Sequence, residues 1–302
     1  MRHHITILIT ALLPLFVSAR PNVIVLTVDD LNFDSLGCFG CPLEGTSPNI
    51  DKLAAQSLKF THAHVNIAVC QPCRGVVMTG RYSHLSGIEG FQHLPPGSET
   101  PTLMESMRDA GYRTAILGKV GHFTPKPDFP WDLAKDQPDL GHGRDPKLYA
   151  KYTAAHIAAS KAADRPFFLV ANAHDPHRPF HGNDPEKYRT SDLPAPPPSH
   201  TYQPSEVPVP EFLPDIPLVR QEVAEYFSSV RRADDVVGAV LAELEKSGQA
   251  ENTLVVFFSD HGMALPFSKT NCYYHSTHTP LIVRYPGKTT PGTTDGTHVL
   301  ST

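Results

Sequence analysis

Five continuous apolar runs limit how this 302-residue chain can fold: NVIVLTV (22–28), TAILG (114–118), FFLVANA (167–173), TLVVFFS (253–259) and PLIVRY (280–285). None alternates polar with apolar residues, so each is expected to be a strand covered on both faces. Helical patterns lie between them. SPNIDKLAAQS opens on Ser47, with Pro48 at the first helical position, and PTLMESMRDAG closes on Gly111. From Leu218 to Lys246 the apolar residues, among them Val223, Phe227, Val230, Val237 and Leu244, recur at helical spacing. Strands alternating with helices predict an α/β fold, a mostly parallel sheet flanked by helices on both faces. No internal repeat is visible.

Two further stretches bear on organisation. Residues 191–217, SDLPAPPPSHTYQPSEVPVPEFLPDIP, are too rich in proline for regular structure. They read as a long surface excursion rather than a linker, because the helix and strand that follow continue the same sheet. The last residues, TTDGTHVLST, stop at the start of another strand or helix. The expectation is a single catalytic domain over 20–302, cut short where a C-terminal subdomain would follow.

The first nineteen residues run from a short basic start through an apolar stretch to Val17-Ser18-Ala19. That is the pattern of a signal peptide cleaved after Ala19, so the protein is expected to be exported, with no stable membrane insertion afterwards. A balance of 26 basic against 31 acidic residues excludes a basic face for nucleic acid. Five cysteines are too few for a disulfide-built scaffold, and the odd count leaves at least one with another task.

In open α/β sheets chemistry collects at the carboxyl ends of strands. Here those ends deliver Asp29 and Asp30, then Lys119 and His122, then His174, Asp175 and His177, and finally Asp260 and His261. Any one of these has an ordinary structural explanation as a cap, turn or surface residue. Four strands sending charged or imidazole groups to one edge do not. Asp29, Asp30 and Asp260 can converge on a hard divalent cation such as calcium or magnesium. His261 beside them keeps zinc and manganese open.

The stretch AVCQPCRGVVMTGR (68–81) holds Cys70 and Cys73 as C-x-x-C. A zinc site shared with the second pair, Cys38 and Cys41, a redox pair and a small disulfide loop are all readings of that spacing. Pro72 suits the first turn of a helix reaching Gly80. Cys70 then lies at the helix N-terminus, where backbone N–H groups and the dipole favour an anion, with Arg74 as a nearby cation.

CQPCRGVVMTGR resembles the signature of the sulfatases, C-x-P-S-R followed by T-G-R, with Cys73 standing where the family usually has serine. VDDLN resembles the family's metal-binding strand end, SPNIDKLAAQSLKFTHAHV its first helix, GYRTAILGKVGH its lysine and histidine segment, and FFSDHGMALPFSKTN its second metal pair with a sulfate-binding lysine. Within the family, the segment RPFFLVANAHDPHRPF and the long helix are most similar to N-sulfoglucosamine sulfohydrolases. The K-x-x-H spacing of Lys119 and His122 and the Asp260–His261 pair are more similar to iduronate 2-sulfatases. The resemblance implies an alkaline phosphatase-like fold, an exported hydrolase of N- or O-sulfo groups on sulfated saccharides, and a transient encounter with the formylglycine-generating enzyme.

It also implies roles. Cys70 becomes formylglycine, whose hydrate attacks sulfur in line. Asp29, Asp30, Asp260 and His261, with residue 70, hold a cation, calcium in the first instance. Arg74 and Lys119 hold the hydrate, and Lys269 and His177 bind the sulfate. His177 donates a proton to the leaving group, and His122 removes one from the second hydroxyl. The competing expectations are a phosphoester or phosphonate hydrolase of the same superfamily, an inactive exported carbohydrate-binding relative, and a redox or zinc protein using both cysteine pairs.

Overall fold

The computed structural model describes residues 20–182 and 195–301. The signal-peptide reading of 1–19 lies outside these residues, as does 183–194. All five apolar runs are strands: β1 (Asn22–Val28), β3 (Arg113–Leu117), β5 (Phe167–Ala173), β6 (Thr253–Ser259) and β7 (Leu281–Arg284). Three more strands join them: β2 (Leu58–His64), β4 (Leu133–Lys135) and β8 (Thr293–Leu300). One sheet of eight strands results, in the order β4-β3-β5-β1-β6-β7-β2-β8. It is parallel except at β7, which runs antiparallel to both β6 and β2.

The continuous apolar runs are explained by cover on both faces. Ile24, Leu26 and Val28 of β1 enter one core, while Val25 enters the other. The larger core is closed by α1 (Pro48–Ala55), α6 (Pro146–Ala162) and α7 (Pro217–Lys246). The smaller is closed by Met78 of α2 (Cys70–Thr79) and Met104 of α4 (Leu103–Asp109). Phe123 of α5 (Val120–Phe123) joins that second core. Two short helices, α3 (Ser83–Ser86) and α8 (Tyr274–Thr277), sit in loops.

Helix ends follow local chemistry. Thr102 and Glu105 form a reciprocal capping box at α4. The N-terminus of α1 is capped from a distance: the N–H groups of Asn49 and Ile50 donate to buried Asp234 of α7. That contact locks the long helix against the sheet's first crossover.

The structure bears on three expectations. LKFTHAH does not extend the first helix; α1 stops at Ala55, Ser57 bonds back to the Leu53 carbonyl, and the next residues pair as β2. The sheet is mostly parallel as expected, with β7 alone returning antiparallel through the loop after β6. Over 195–216 the proline-rich segment is irregular as expected, yet it is anchored: Tyr202, Val207 and Leu213 are buried in the larger core, and the Tyr202 N–H donates to Ser228.

Candidate active site

Register brings the strand ends level. Val28 pairs with Ala173 of β5 and Ser259 of β6, so Asp29, His174 and Asp260 emerge side by side. Asp30 turns into the left-handed region (φ 67°), and its N–H donates to Asp260 Oδ1 at 3.1 Å. Lys119, after β3, does the same (φ 53°), its N–H donating to His174 Nε2. Backbone strain of this kind costs about 1–3 kcal/mol and collects where side chains must be aimed.

Around this edge the side chains form one buried ion network. Arg74 is wholly buried; its Nη2 donates to Asp29 Oδ1 at 3.0 Å and to Asp260 Oδ2 at 2.8 Å. Its Nη1 reaches Thr27 and Asn172, and its guanidinium lies over the Phe123 ring. Lys119 pairs with the other oxygen of Asp29, and Lys269 binds both oxygens of Asp30 at 2.7 and 2.9 Å. Burial alone would raise the Asp29 carboxyl, but Lys119, His177 and Arg74 outweigh it and hold it well below the usual carboxylate range. Arg74 and Lys269 are thus already engaged with the carboxylates.

Two groups of potential ligands converge within 4.8 Å among the described residues: Asp29, Asp30, Asp260 and His261, and Asp29, Cys70 and His261. His261 Nδ1 donates to the Gly262 carbonyl, which turns Nε2 inward. There Nε2 is buried without a hydrogen-bond partner, 3.4 Å from Asp30 and 3.5 Å from Asp260. Burial disfavours charge on this ring, yet Asp260 and Asp30 raise its pKa to about 9. An unsatisfied imidazole nitrogen among three buried carboxylates fits a divalent cation, which would take the place of that proton.

The C-x-x-C pair is split in role. Cys70 is the first residue of α2 and belongs to the ligand group; Cys73 is fully buried and packs on Val65 and Ala68, with burial and Asp260 pushing its thiol up beyond the ordinary range. All five cysteines are free thiols, and Cys38 and Cys41 pack against the larger core. Among the described residues the four cysteines do not converge as one zinc centre.

His122 is half-buried in α5, and burial followed by the charges of Lys119 and Arg74 lowers its pKa to about 4. His177 is partly exposed and acts electrostatically on both Asp29 and His122. Every site residue expected from sequence is gathered here. His174 and Asp175, which only flank His177 in the sequence, have their own tasks. His174 is buried, kept uncharged by burial and by Lys119, and fixes the Lys119 backbone. Asp175 is gripped by Arg144 Nε at 2.8 Å and by Arg232 Nε at 2.5 Å, and Arg144 Nη2 also donates to the His177 carbonyl at 2.9 Å.

Sequence reasoning missed Arg144, Arg232, Thr27 and Asn172. A signal existed for two of them: Thr27 and Asn172 are the polar interruptions in NVIVLTV and FFLVANA, and their side chains bond each other and Arg74. Asp175→Ala would strand two buried guanidinium groups. A loss of about 3–5 kcal/mol in urea unfolding is expected, the range for a broken buried ion pair.

A sulfatase family model matches residues 21–299. The chain belongs to the sulfatase family. It is 34% identical over 286 residues to human N-sulphoglucosamine sulphohydrolase, an alignment covering 89% of this chain and 56% of that protein. Human iduronate 2-sulfatase is 28% identical over 335 residues, with coverages of 89% and 60%. The chain thus spans a little over half the length of these relatives. Among solved structures, BT4656 in complex with its substrate D-glucosamine-2-N,6-O-disulfate superposes with a TM-score of 0.72 at 20% identity, covering 93% of this chain and 74% of that one. A phosphonate monoester hydrolase of Agrobacterium radiobacter superposes with a TM-score of 0.67 at 18% identity, covering 93% and 71%. Both likenesses establish the shared fold. Among the described residues no helix is long and apolar enough to cross a membrane.

Proposed function

We propose that this chain carries the catalytic site of an exported sulfatase that removes N- or O-sulfo groups from sulfated sugars. The observation that carries the reading is Cys70 itself, first residue of α2, grouped with Asp29 and His261 and one turn ahead of the fully buried Arg74. The substrate class is supported by the names of the relatives, which act on sulfated glucosamine and iduronate.

Asp29, Asp30, Asp260 and His261 would hold a divalent cation, calcium being favoured by the three carboxylates. The cation supplies charge neutralisation, and formylglycine, formed from Cys70 by the formylglycine-generating enzyme, supplies a hydrated aldehyde as oxygen nucleophile. The other residues position and move protons. The N-terminus of α2 and the cations Arg74, Lys119 and Lys269 favour a sulfate group held against residue 70. Lys269, which is bonded to Asp30, would also face that sulfate. His122, uncharged at neutral pH because its pKa is about 4, is available as a base. His177, partly exposed, would donate a proton to the departing amine or alcohol.

His122→Gln is expected to lower kcat by about 10²–10⁴-fold with little change in KM. In the wild type, the base is neutral above its pKa, so kcat should persist downward from neutral pH and fall as pH drops through about 4. Sulfate release from glucosamine N-sulfate and glucosamine 6-sulfate, compared with hydrolysis of a phosphate or phosphonate monoester, tests the reading. Preference for the phosphorus ester would move the chain to the rival hydrolase class, and binding of the sugars without turnover would make it an inactive relative.

A further inference from the structure

Phe91 is the most exposed phenylalanine, tyrosine or tryptophan among the described residues, with 67% of its surface open. A single exposed apolar side chain is ordinary on a protein surface. Its neighbour is what sets this one apart. The Phe91 ring meets the imidazole of His122 at 5.9 Å between centroids and 62° between planes, an edge contact. His122 also feels the charges of Lys119, Arg74 and Asp29, all three buried. A ring that touches His122 and is still largely open therefore stands at the mouth of the candidate active site.

The backbone beside the ring is held. Gln71, the buried residue after Cys70, donates through Nε2 to the Gln92 carbonyl at 2.9 Å. His93 Nδ1 meets the Thr124 carbonyl at 3.1 Å, and the N–H of buried Leu94 donates to the Pro125 carbonyl at 2.9 Å. Gln92 Nε2 reaches back to the Gly87 carbonyl at 2.6 Å. The residues following Phe91 are thus strapped to the start of α2, which carries Cys70, and to the end of α5, which carries His122. These bonds place the ring and leave its surface in solvent. An aromatic group held in advance loses little freedom when a ligand covers it.

We infer that Phe91 is a specificity-determining residue, an aromatic platform on which the pyranose ring of the sulfated sugar stacks while its sulfo group is held against residue 70. The inference rests on the sulfatase reading for its substrate class. A pyranose carries hydroxyl groups around its rim and C–H groups on its faces. Stacking such a face on a phenyl ring removes apolar surface of both from water. Lys119, Lys269 and the N-terminus of α2 recognise only the sulfo group, which inorganic sulfate presents equally well. Charge alone does not tell a sugar from any other carrier of sulfate. An apolar wall beside a few placed polar groups does, and that is the usual make-up of a small-molecule site.

The test measures binding by calorimetry in the calcium-loaded full chain carrying Cys70→Ala, so that turnover plays no part. Glucosamine N-sulfate and inorganic sulfate are the two probes. Adding Phe91→Ala should weaken glucosamine N-sulfate about ten- to thirtyfold, the change that goes with losing the burial of one ring face. Inorganic sulfate should bind as before, and Phe91→Trp should keep the affinity for the sugar. Tm should stay the same in both substitutions, because the ring is largely exposed. Unaltered sugar binding in Phe91→Ala, an equal loss of inorganic sulfate, a loss in Phe91→Trp as large as in Phe91→Ala, or a parent chain that does not bind the sugar would overturn the inference. Sulfate release by the unsubstituted chain is read separately. Sugar binding that depends on Phe91 without any release would count against the sulfatase reading alone. Release by a chain whose sugar binding ignores Phe91 would count against the platform alone.

Discussion

Cys70→Ala is expected to abolish sulfate release, a loss on the order of 10⁵–10⁶ in kcat, as when the nucleophile of a covalent mechanism is removed. The fold should survive, because Cys70 contributes only a small side chain at the start of α2 and bonds to no other cysteine. Binding of the sulfated sugar should survive as well, since Lys119 and Lys269 remain. The neighbouring thiol is the internal control. Cys73 packs against Val65 and Ala68, so Cys73→Ser should cost about 1–3 kcal/mol of stability for burying a hydroxyl while the reaction continues. Equal losses from both substitutions would return the pair to a joint role.

The second large effect belongs to Arg74. Its guanidinium bridges Asp29 and Asp260 at the ends of the neighbouring strands β1 and β6 and ties both to Thr27 and Asn172. Arg74→Met fills similar space but leaves two buried carboxylates facing each other. A loss of about 3–5 kcal/mol in denaturant unfolding is expected, together with loss of activity. Arg74→Lys should recover little of either, because a point charge cannot bridge two carboxylates and two further acceptors as the planar fork does. Calcium should restore part of the stability of Arg74→Met by neutralising the same carboxylates. Calcium-independent wild-type stability would argue against a cation among those side chains.

Much of this was legible in the sequence because two-sided burial writes itself plainly. β1, β5 and β6 sit at the centre of the sheet, so their runs are unbroken and their ends are easily located. The residues that follow those ends form the candidate site. The outer strands left no such mark. β2 buries only Ala63 fully, and β8 buries no residue fully, so neither carries an apolar run; their pairing is set by neighbours far along the chain. The clamp on Asp175 was hidden for another reason. Arg232 occurs within the apolar stripe of α7 and Arg144 in a loop, and only the folded chain shows that one buried carboxylate receives both.

The central claim is that Cys70 is the precursor of the nucleophile, and it is tested most directly by mass spectrometry of the tryptic peptide 60–74 from exported protein. This peptide contains Cys70 and Cys73 together. The account predicts a species in which the Cys70 side chain has exchanged its thiol for an aldehyde or the hydrate, with Cys73 unchanged. An intact thiol at Cys70 in a host with a working modifying enzyme, in protein that still releases sulfate, would contradict it.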